Sequence, residues 1–230
     1  MRVVERKQAR GSLKLIRHTV NNHTSLLNER IITALQLRSD ATIDWKSPRA
    51  DDEYAEYGDE AFLKLLGIQL ARHPLKEFWP NRGPQWDALA TIDGTGTLLV
   101  EAKANIPEIV SPGTSASPAS RILIERSIEE VKQYLGVDPN IPWTGRLYQY
   151  ANRIAHLYLL RKLNGKNAYL IFVYFTGDTD VDGPSSIAEW RAALRVAKGV
   201  LGLTEHHRLS KYIAEVFIDV AEIKMTPEKL

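Results

Sequence analysis

The sequence predicts an α/β protein in which helices flank a mixed central β-sheet. Residues 83–103 contain two apolar runs separated by a Gly-rich turn at residues 93–96, a pattern typical of a β-hairpin. Residues 168–175 form a continuous apolar run, as in a strand buried on both faces. Several longer segments carry apolar residues at spacings of three and four, which indicates amphipathic helices. Together these patterns predict one sheet enclosed by helices.

Length and composition are those of a globular protein. The 230 residues are 44% hydrophobic and 25% charged, which suits a single domain over residues 1–230. The chain has no cysteine, so disulfides and thiolate metal sites are excluded. Residues 1–20 lack the apolar core of a signal peptide, and the longest apolar run is too short to span a bilayer. We therefore expect a cytoplasmic protein with no membrane partner.

Residues 1–52 are predicted to form a basic arm and N-terminal extension. Residues 1–18 carry six basic side chains and one acidic one: Arg2, Arg6, Lys7, Arg10, Lys14 and Arg17 against Glu5. Such an arm either contacts phosphates, for which Arg10 and Lys14 are the candidates, or keeps the N-terminal segment in solution. The pattern further predicts a short strand at residues 13–16, a helix at residues 25–37 and a loop at residues 40–52.

The elements up to the hairpin are a helix and a packed loop. An apolar stripe predicts a helix over residues 53–73, with Asp52 as its N-cap. Residues 73–82 contain two prolines and two aromatic residues, which indicates a loop. Trp79 and Trp86 would stack on bases or pack in the core, and core packing is the preferred interpretation.

The segment after the hairpin, residues 106–163, is predicted to be a loop followed by a helical insertion. Gly, Pro and Ser dominate residues 107–118, which would cover a substrate or simply connect two elements. Two helices follow, the first ending at Gly136 and the second covering residues 145–163. Gln149 and Arg153, on the polar side of the second helix, are candidate phosphate contacts, and a solvated helix face is the alternative.

The last elements are a strand, a helix and a strand. The buried strand at residues 168–175 is followed by an acidic loop, a helix at residues 187–201 and a strand at residues 212–220. Alternating aspartates in the acidic loop suggest calcium, but the rest of an EF-hand loop is missing. The adjacent histidines in the turn after the helix are expected to be incidental.

Candidate chemistry is concentrated in the hairpin. Strand side chains alternate between faces, so Glu101 and Lys103 share a face and Ala102 lies opposite. Asp87 is near the start of the first strand and Glu101 near the end of the second, and these ends meet in an antiparallel pair. Two adjacent carboxylates suit a hard divalent cation, and a nearby lysine would orient a water or neutralise charge on a phosphate. These parts suit phosphodiester hydrolysis, whereas the alternative is an ion pair at the end of a strand.

The acid-x-Lys tripeptide alone has little weight, because it occurs four times. The four matches are Asp44-Trp45-Lys46, Glu101-Ala102-Lys103, Glu130-Val131-Lys132 and Glu222-Ile223-Lys224. Glu130 lies in a helical pattern, where residues i and i+2 do not share a face. Asp44 has no preceding strand of any length. Glu222 follows a strand but lacks an upstream hairpin partner.

In context, Asp87, Glu101 and Lys103 resemble the signature of the PD-(D/E)xK nuclease superfamily, which has a restriction-endonuclease-like fold. The proline of that signature is displaced here to Pro84. The resemblance covers roughly residues 53–220 and implies the core order helix, three strands, helix, strand, with the helical insertion placed after the second core strand. The Gln-x-x-x-Tyr pattern of RecB-like relatives is absent, because Arg153 follows Gln149.

The resemblance implies a Mg²⁺-dependent nuclease, with Mn²⁺ as a substitute, in which Asp87 and Glu101 bind metal and Lys103 is catalytic. A preceding helix would supply one more acidic ligand, for which Glu60 is the best match and Glu56 the alternative. We expect DNA as the partner and hydrolysis by endonuclease action, and the chain is compatible with a homodimer. The competing hypotheses are a nuclease-like fold that only binds nucleic acid or a partner protein, and an unrelated α/β protein.

Overall fold

The structure is a computed structural model, which describes residues 1–4 and 9–223. The strands lie at β1 Arg2–Val3, β2 Ile43–Ser47, β3 Glu56–Gly58, β4 Gln85–Trp86, β5 Ala88–Ile92, β6 Gly96–Lys103, β7 Ala168–Thr176 and β8 Ile213–Asp219. The helices lie at α1 Gly11–Asn22, α2 Thr24–Ala34, α3 Asp59–Leu65, α4 Leu75–Phe78, α5 Pro118–Leu135, α6 Tyr148–Tyr158 and α7 Ile187–Val200. No helix in the described part of the chain is long and apolar enough to cross a membrane.

A five-stranded mixed sheet forms the centre of the molecule, in the order β2-β5-β6-β7-β8. Strands β2, β5 and β6 are antiparallel neighbours, whereas β6, β7 and β8 are parallel. The parallel steps require crossover connections, which α5 with α6, and then α7, provide. A second sheet, in the order β1-β3-β4, is antiparallel and has strands of two or three residues. The expected α/β class with a mixed sheet is confirmed.

Alternation along β6 separates two cores. Leu98, Val100 and Ala102 pack with α1 and α2 on one face, whereas Leu99 faces the core formed with α5, α6 and α7. Glu101 lies on the Leu99 face, because it is two residues further along the strand. An acidic side chain is therefore placed beneath the crossover helices, in a region that is otherwise apolar.

Most of the predicted regular elements are confirmed. The hairpin, the helix ending at Gly136, the buried strand β7, the helix α7 and the last strand β8 all lie within a few residues of their expected positions. Gly136 has φ 75°, the left-handed conformation typical of a residue that terminates a helix. Trp79 and Trp86 are buried in the core, as preferred.

The long helix predicted over residues 53–73 is wrong. Glu53 and Tyr54 have positive φ angles of 55° and 54°, so a right-handed helix cannot run through them. The chain then forms β3 and only afterwards the short helix α3. The apolar spacing was misleading because Tyr57 belongs to a strand, and Asp52 does not cap a helix there but accepts hydrogen bonds from Arg2.

Two further expectations near the N-terminus are wrong. Residues 13–16 lie in helix α1, because Leu15, Ile16, Thr19 and Val20 form one buried helical face. The loop predicted at residues 40–52 contains the edge strand β2. Glu5, Arg6 and Lys7 of the basic arm and Lys224 of the fourth tripeptide lie outside the described residues.

Candidate active site

Asp87 and Glu101 lie opposite each other at the open end of the hairpin. The last pair in the register of β5 and β6 is Ala88 with Val100, and the next step brings Asp87 opposite Glu101. Asp87 Oδ2 also accepts a hydrogen bond of 2.7 Å from the backbone N–H of Ala102. Opposite residues of an antiparallel pair point to the same face of the sheet. The two carboxylates therefore converge, as the sequence predicts.

A third carboxylate, that of Glu56, reaches Asp87 from the small sheet. The register of β3 and β4 pairs Tyr57 with Trp86, and one step further brings Glu56 opposite Asp87. The negative charge of Glu56 contributes to raising the pKa of Asp87, and both side chains line the same cleft. Glu60 is exposed on α3 and does not line that cleft. The structure therefore brings the alternative, Glu56, to the site instead of the preferred Glu60.

The loop before Asp87 is fixed by a neighbouring aspartate. Asp59 accepts backbone hydrogen bonds from Gly83 at 2.8 Å and from Arg82 at 3.3 Å. Gly58 permits a close approach of β3 to this loop, since a Cβ there would lie 2.9 Å from the carbonyl oxygen of Pro84. These contacts hold the chain that leads into Asp87.

Glu101 is buried and pairs with two cations. Its carboxylate is 2% exposed, and Oε1 accepts from Lys103 Nζ while Oε2 accepts from Arg153 Nε at 2.6 Å. Burial raises the pKa of Glu101, but the opposing charges of Arg153 and Lys103 outweigh it and hold the pKa below its usual value. Glu101 is thus an anion between two cations.

Arg153 is held in place by hydrogen bonds and by contact with an aromatic ring. Its side chain is 4% exposed and donates to the carbonyl oxygen of Gln85 at 2.8 Å and to Asn152 Oδ1 at 2.9 Å. Its guanidinium carbon lies 4.9 Å from the ring centroid of Trp86. The solvated helix face does not describe this residue, because it is buried against Glu101 and the adjoining backbone. Arg153 also lines the cleft, and its contact with phosphate stays a prediction.

The pKa values of both Asp87 and Lys103 are raised in this environment. Burial, the charge of Glu101 and that of Glu56 raise the pKa of Asp87 to about 8, although Lys103 counteracts the shift. Burial lowers the pKa of Lys103, but Glu101 and Asp87 outweigh it and the pKa lies above its usual value. At neutral pH the site therefore holds a protonated Asp87 beside a charged Lys103. A carboxyl group held protonated by burial and by its anionic neighbours is one whose proton a cation can displace.

Two of the three carboxylates, Glu56 and Asp87, open into a cleft of about 1120 Å³, whereas Glu101 and Lys103 line a separate, much smaller pocket. Glu56 and Asp87 line the large cleft together with three basic residues, Lys76, Arg82 and Arg153. Residues 110–117, which were expected to cover a substrate or merely connect elements, form one wall. This wall is anchored by Ser111 N–H, which donates to the Arg146 carbonyl at 2.7 Å. The cleft therefore offers both anionic and cationic groups to a bound molecule.

The remaining predicted nucleic-acid contacts are dispersed. Gln149 lines the cleft and is half-buried. Lys14 lies 3.6 Å from Asp180 and Arg10 is exposed ahead of α1, and neither lines the cleft. Sequence reasoning missed Lys76 and Arg82 because Lys76 lies in a helix of only four residues and Arg82 in a loop, and neither has a periodic pattern.

The donor set suits a hard divalent cation held by two carboxylates. Mg²⁺ prefers oxygen ligands and commonly binds one or two carboxylates together with water and phosphate. Asp87 and Glu101 provide such oxygens, and the pKa of Asp87 is raised first by burial and then by the charge of Glu101. Within residues 1–4 and 9–223, no group of three or more His, Asp or Glu side chains is placed to hold a metal ion. A cation would also have to compete with Lys103 for Glu101.

Comparison of the chain with protein-family models, curated proteins and solved structures gave no match.

Proposed function

We propose that this chain is a metal-dependent nuclease that hydrolyses phosphodiester bonds of DNA through Asp87, Glu101 and Lys103. The observation that carries the proposal is the approach of Asp87 to Glu101 at the open end of the hairpin, with Lys103 on the same strand face as Glu101 and Asp87 lining the large cleft. The PD-(D/E)xK resemblance of these residues supports it, as does the mixed sheet beneath them.

Asp87 and Glu101 would hold a Mg²⁺ or Mn²⁺ ion. The bound ion would supply Lewis-acid activation of a water and neutralise charge on the phosphate. Lys103 would orient the attacking water or stabilise the charge that develops on the phosphate oxygens, because its ammonium group stays protonated beside Glu101. Arg153 would keep Glu101 ionised and in position, since it holds Oε2.

A second candidate is a nuclease-like fold that binds nucleic acid or a partner without cleaving it. This alternative is favoured by one contact pattern: both carboxylate oxygens of Glu101 accept hydrogen bonds from cations. Such a buried network satisfies the charge and the hydrogen-bonding capacity of Glu101 without a metal. The two candidates differ in whether a divalent cation turns on cleavage.

The test is cleavage of closed circular plasmid and of single-stranded DNA in Mg²⁺ or Mn²⁺. We expect nicking of the plasmid, because circular DNA has no ends and endonuclease action is required. A chelator or the Asp87→Asn substitution should abolish the activity. If the parent protein cleaves neither substrate with either metal, the nuclease proposal is overturned in favour of the binding-only candidate.

A further inference from the structure

At the end of the sheet remote from the candidate active site, four basic side chains lie against the rings of three tyrosines, and a fifth basic residue, Lys166, follows in the same segment as two of them. The basic residues come from two short segments, one after α6 and one before β8. They are Arg161, Lys162, Lys166, Arg208 and Lys211, and the tyrosines are Tyr134, Tyr169 and Tyr212. We call this group the basic tyrosine patch.

Shared tyrosine rings connect the two segments into one surface. The cationic groups of Arg161 and Lys211 lie 3.2 and 5.0 Å from the ring centroid of Tyr212. Those of Lys162 and Arg208 lie 5.6 and 5.2 Å from the ring centroid of Tyr134. The rings of Tyr212 and Tyr134 therefore each carry one cation from each segment, and Arg161 also lies 5.5 Å from the ring centroid of Tyr169. Cations held over aromatic faces are restrained, which lowers the entropy lost when they bind a ligand.

The charge of the patch is not neutralised by ion pairs. Across the described ranges, none of its five basic residues lies in a salt bridge, whereas Lys14, Arg30, Arg121 and Arg153 each do. Glu130 is close by, but its carboxylate accepts a hydrogen bond from Tyr158. The patch is therefore a surface of positive charge in a protein whose net charge is only +2.

The position of the patch separates it from the cleft. Tyr169 is the second residue of β7, and Tyr212 directly precedes β8. The patch is therefore at the N-terminal ends of these parallel strands. Glu101 is four residues along β6 from Thr97, which pairs with the first residue of β7. At about 3.3 Å per residue this is roughly 13 Å along the strand.

We propose that the basic tyrosine patch is a second contact surface for the phosphate backbone of nucleic acid, outside the cleft. This inference rests on the proposed nuclease function, because it takes the occupant to be that enzyme's DNA substrate. Lysine and arginine side chains without acidic partners match a polyanion with regularly spaced phosphates. An anionic membrane is the weaker match, because the large exposed apolar side chains of the described residues all lie outside the patch. The patch would add affinity without sequence preference, since phosphate contacts position a duplex but do not read bases.

The test is binding of a fluorescein-labelled double-stranded oligonucleotide over a range of salt concentrations, in EDTA so that no cleavage occurs. The variant combines Lys162→Ala, Arg208→Ala and Lys211→Ala, all exposed residues. Arg161 is left unchanged, because it donates to the Ala168 carbonyl and holds the local fold. A control with Arg38→Ala, Arg121→Ala and Arg195→Ala removes the same charge from exposed positions elsewhere. Circular dichroism confirms that both variants are folded.

We expect the patch variant to lower the slope of log affinity against log salt by roughly 2 to 3 and the control to leave it nearly unchanged. Each single substitution in the patch should lower the slope by about one. Equal slopes for the two triple variants would overturn the proposal, as would a parent protein that does not bind the oligonucleotide. Binding to phosphatidylserine vesicles in place of DNA would assign the patch to a membrane and also overturn it. The binding assay contains no metal and is therefore independent of cleavage. If the patch variant has the lower slope but the parent protein does not cleave plasmid in the separate assay, only the nuclease function is refuted.

Discussion

Replacing Lys103 by alanine should lower the rate of metal-dependent DNA cleavage by about 10²–10³-fold, the usual effect of removing one preorganised charge-stabilising group. Lys103 contributes a positive charge beside Glu101 in a buried setting, where water cannot substitute for it. Arg153 remains on the other oxygen of Glu101 in this variant, so the carboxylate keeps a partner. The fold and metal binding should therefore survive while the rate falls.

The measurement is the initial rate of plasmid nicking at saturating metal, with Lys46→Ala as a matched control. Lys46 pairs with Asp44 in the tripeptide Asp44-Trp45-Lys46, which repeats the arrangement of Glu101 and Lys103 on the edge strand β2. Its side chain is 34% exposed and does not line the cleft. We expect the control to cleave like the parent. If the parent cleaves and Lys103→Ala cleaves equally well, the assignment of Lys103 is wrong.

Replacing Arg153 by alanine should destabilise the folded protein by about 3–5 kcal/mol, the usual cost of removing one partner from a buried ion pair. Glu101 would then be left in the core with Lys103 as its remaining partner. The carbonyl oxygen of Gln85 would also lose the hydrogen bond that Arg153 donates. Urea denaturation followed by circular dichroism measures the loss as a change in the free energy of unfolding.

The control for Arg153 is Arg30, which pairs with Glu222 at the same distance of 2.6 Å but is 39% exposed. Arg30→Ala should cost no more than about 1 kcal/mol, because solvent screens an exposed pair. Adding Glu101→Gln to Arg153→Ala should restore part of the stability, since the uncompensated charge is removed. If Arg153→Ala and Arg30→Ala lower the free energy of unfolding equally, burial does not strengthen the contribution of the Arg153–Glu101 pair to stability.

Apolar runs of strand length predicted four of the five strands of the central sheet, whereas the edge strand β2 and the short strands of the small sheet escaped sequence reasoning. The apolar run of β7 and the two halves of the hairpin have lengths and compositions that only a strand satisfies. The small sheet has strands of two or three residues, which show no period. Tyr57 even contributed to a false helical stripe, because its strand is set by pairing with a segment far along the chain.

The residues of the candidate site were likewise only partly predictable from the sequence. Strand alternation placed Glu101 and Lys103 on one face, and hairpin pairing placed Asp87 opposite, both of which are local inferences. Glu56 reaches Asp87 only through the pairing of β3 with β4, and Arg153 reaches Glu101 only when α6 docks on the sheet. These contacts join distant segments, so no sequence spacing signals them. The polar side of α6 looked solvated because an arginine paired with a buried acid resembles a surface residue in sequence.

The most direct test of the metal site is titration calorimetry of Mn²⁺ into the parent and into Asp87→Asn. Asp87 has a pKa of about 8 and must lose its proton to bind a cation, so affinity should rise with pH up to about 8 and level off above it. Below that pH, binding should release close to one proton, seen by comparing buffers with different ionisation enthalpies. We predict millimolar or tighter binding by the parent, comparable to that of typical weak divalent-cation sites, and none by Asp87→Asn. Equal binding by the two proteins, or no binding by the parent at any pH, would contradict the assignment of Asp87 and Glu101 as a metal site.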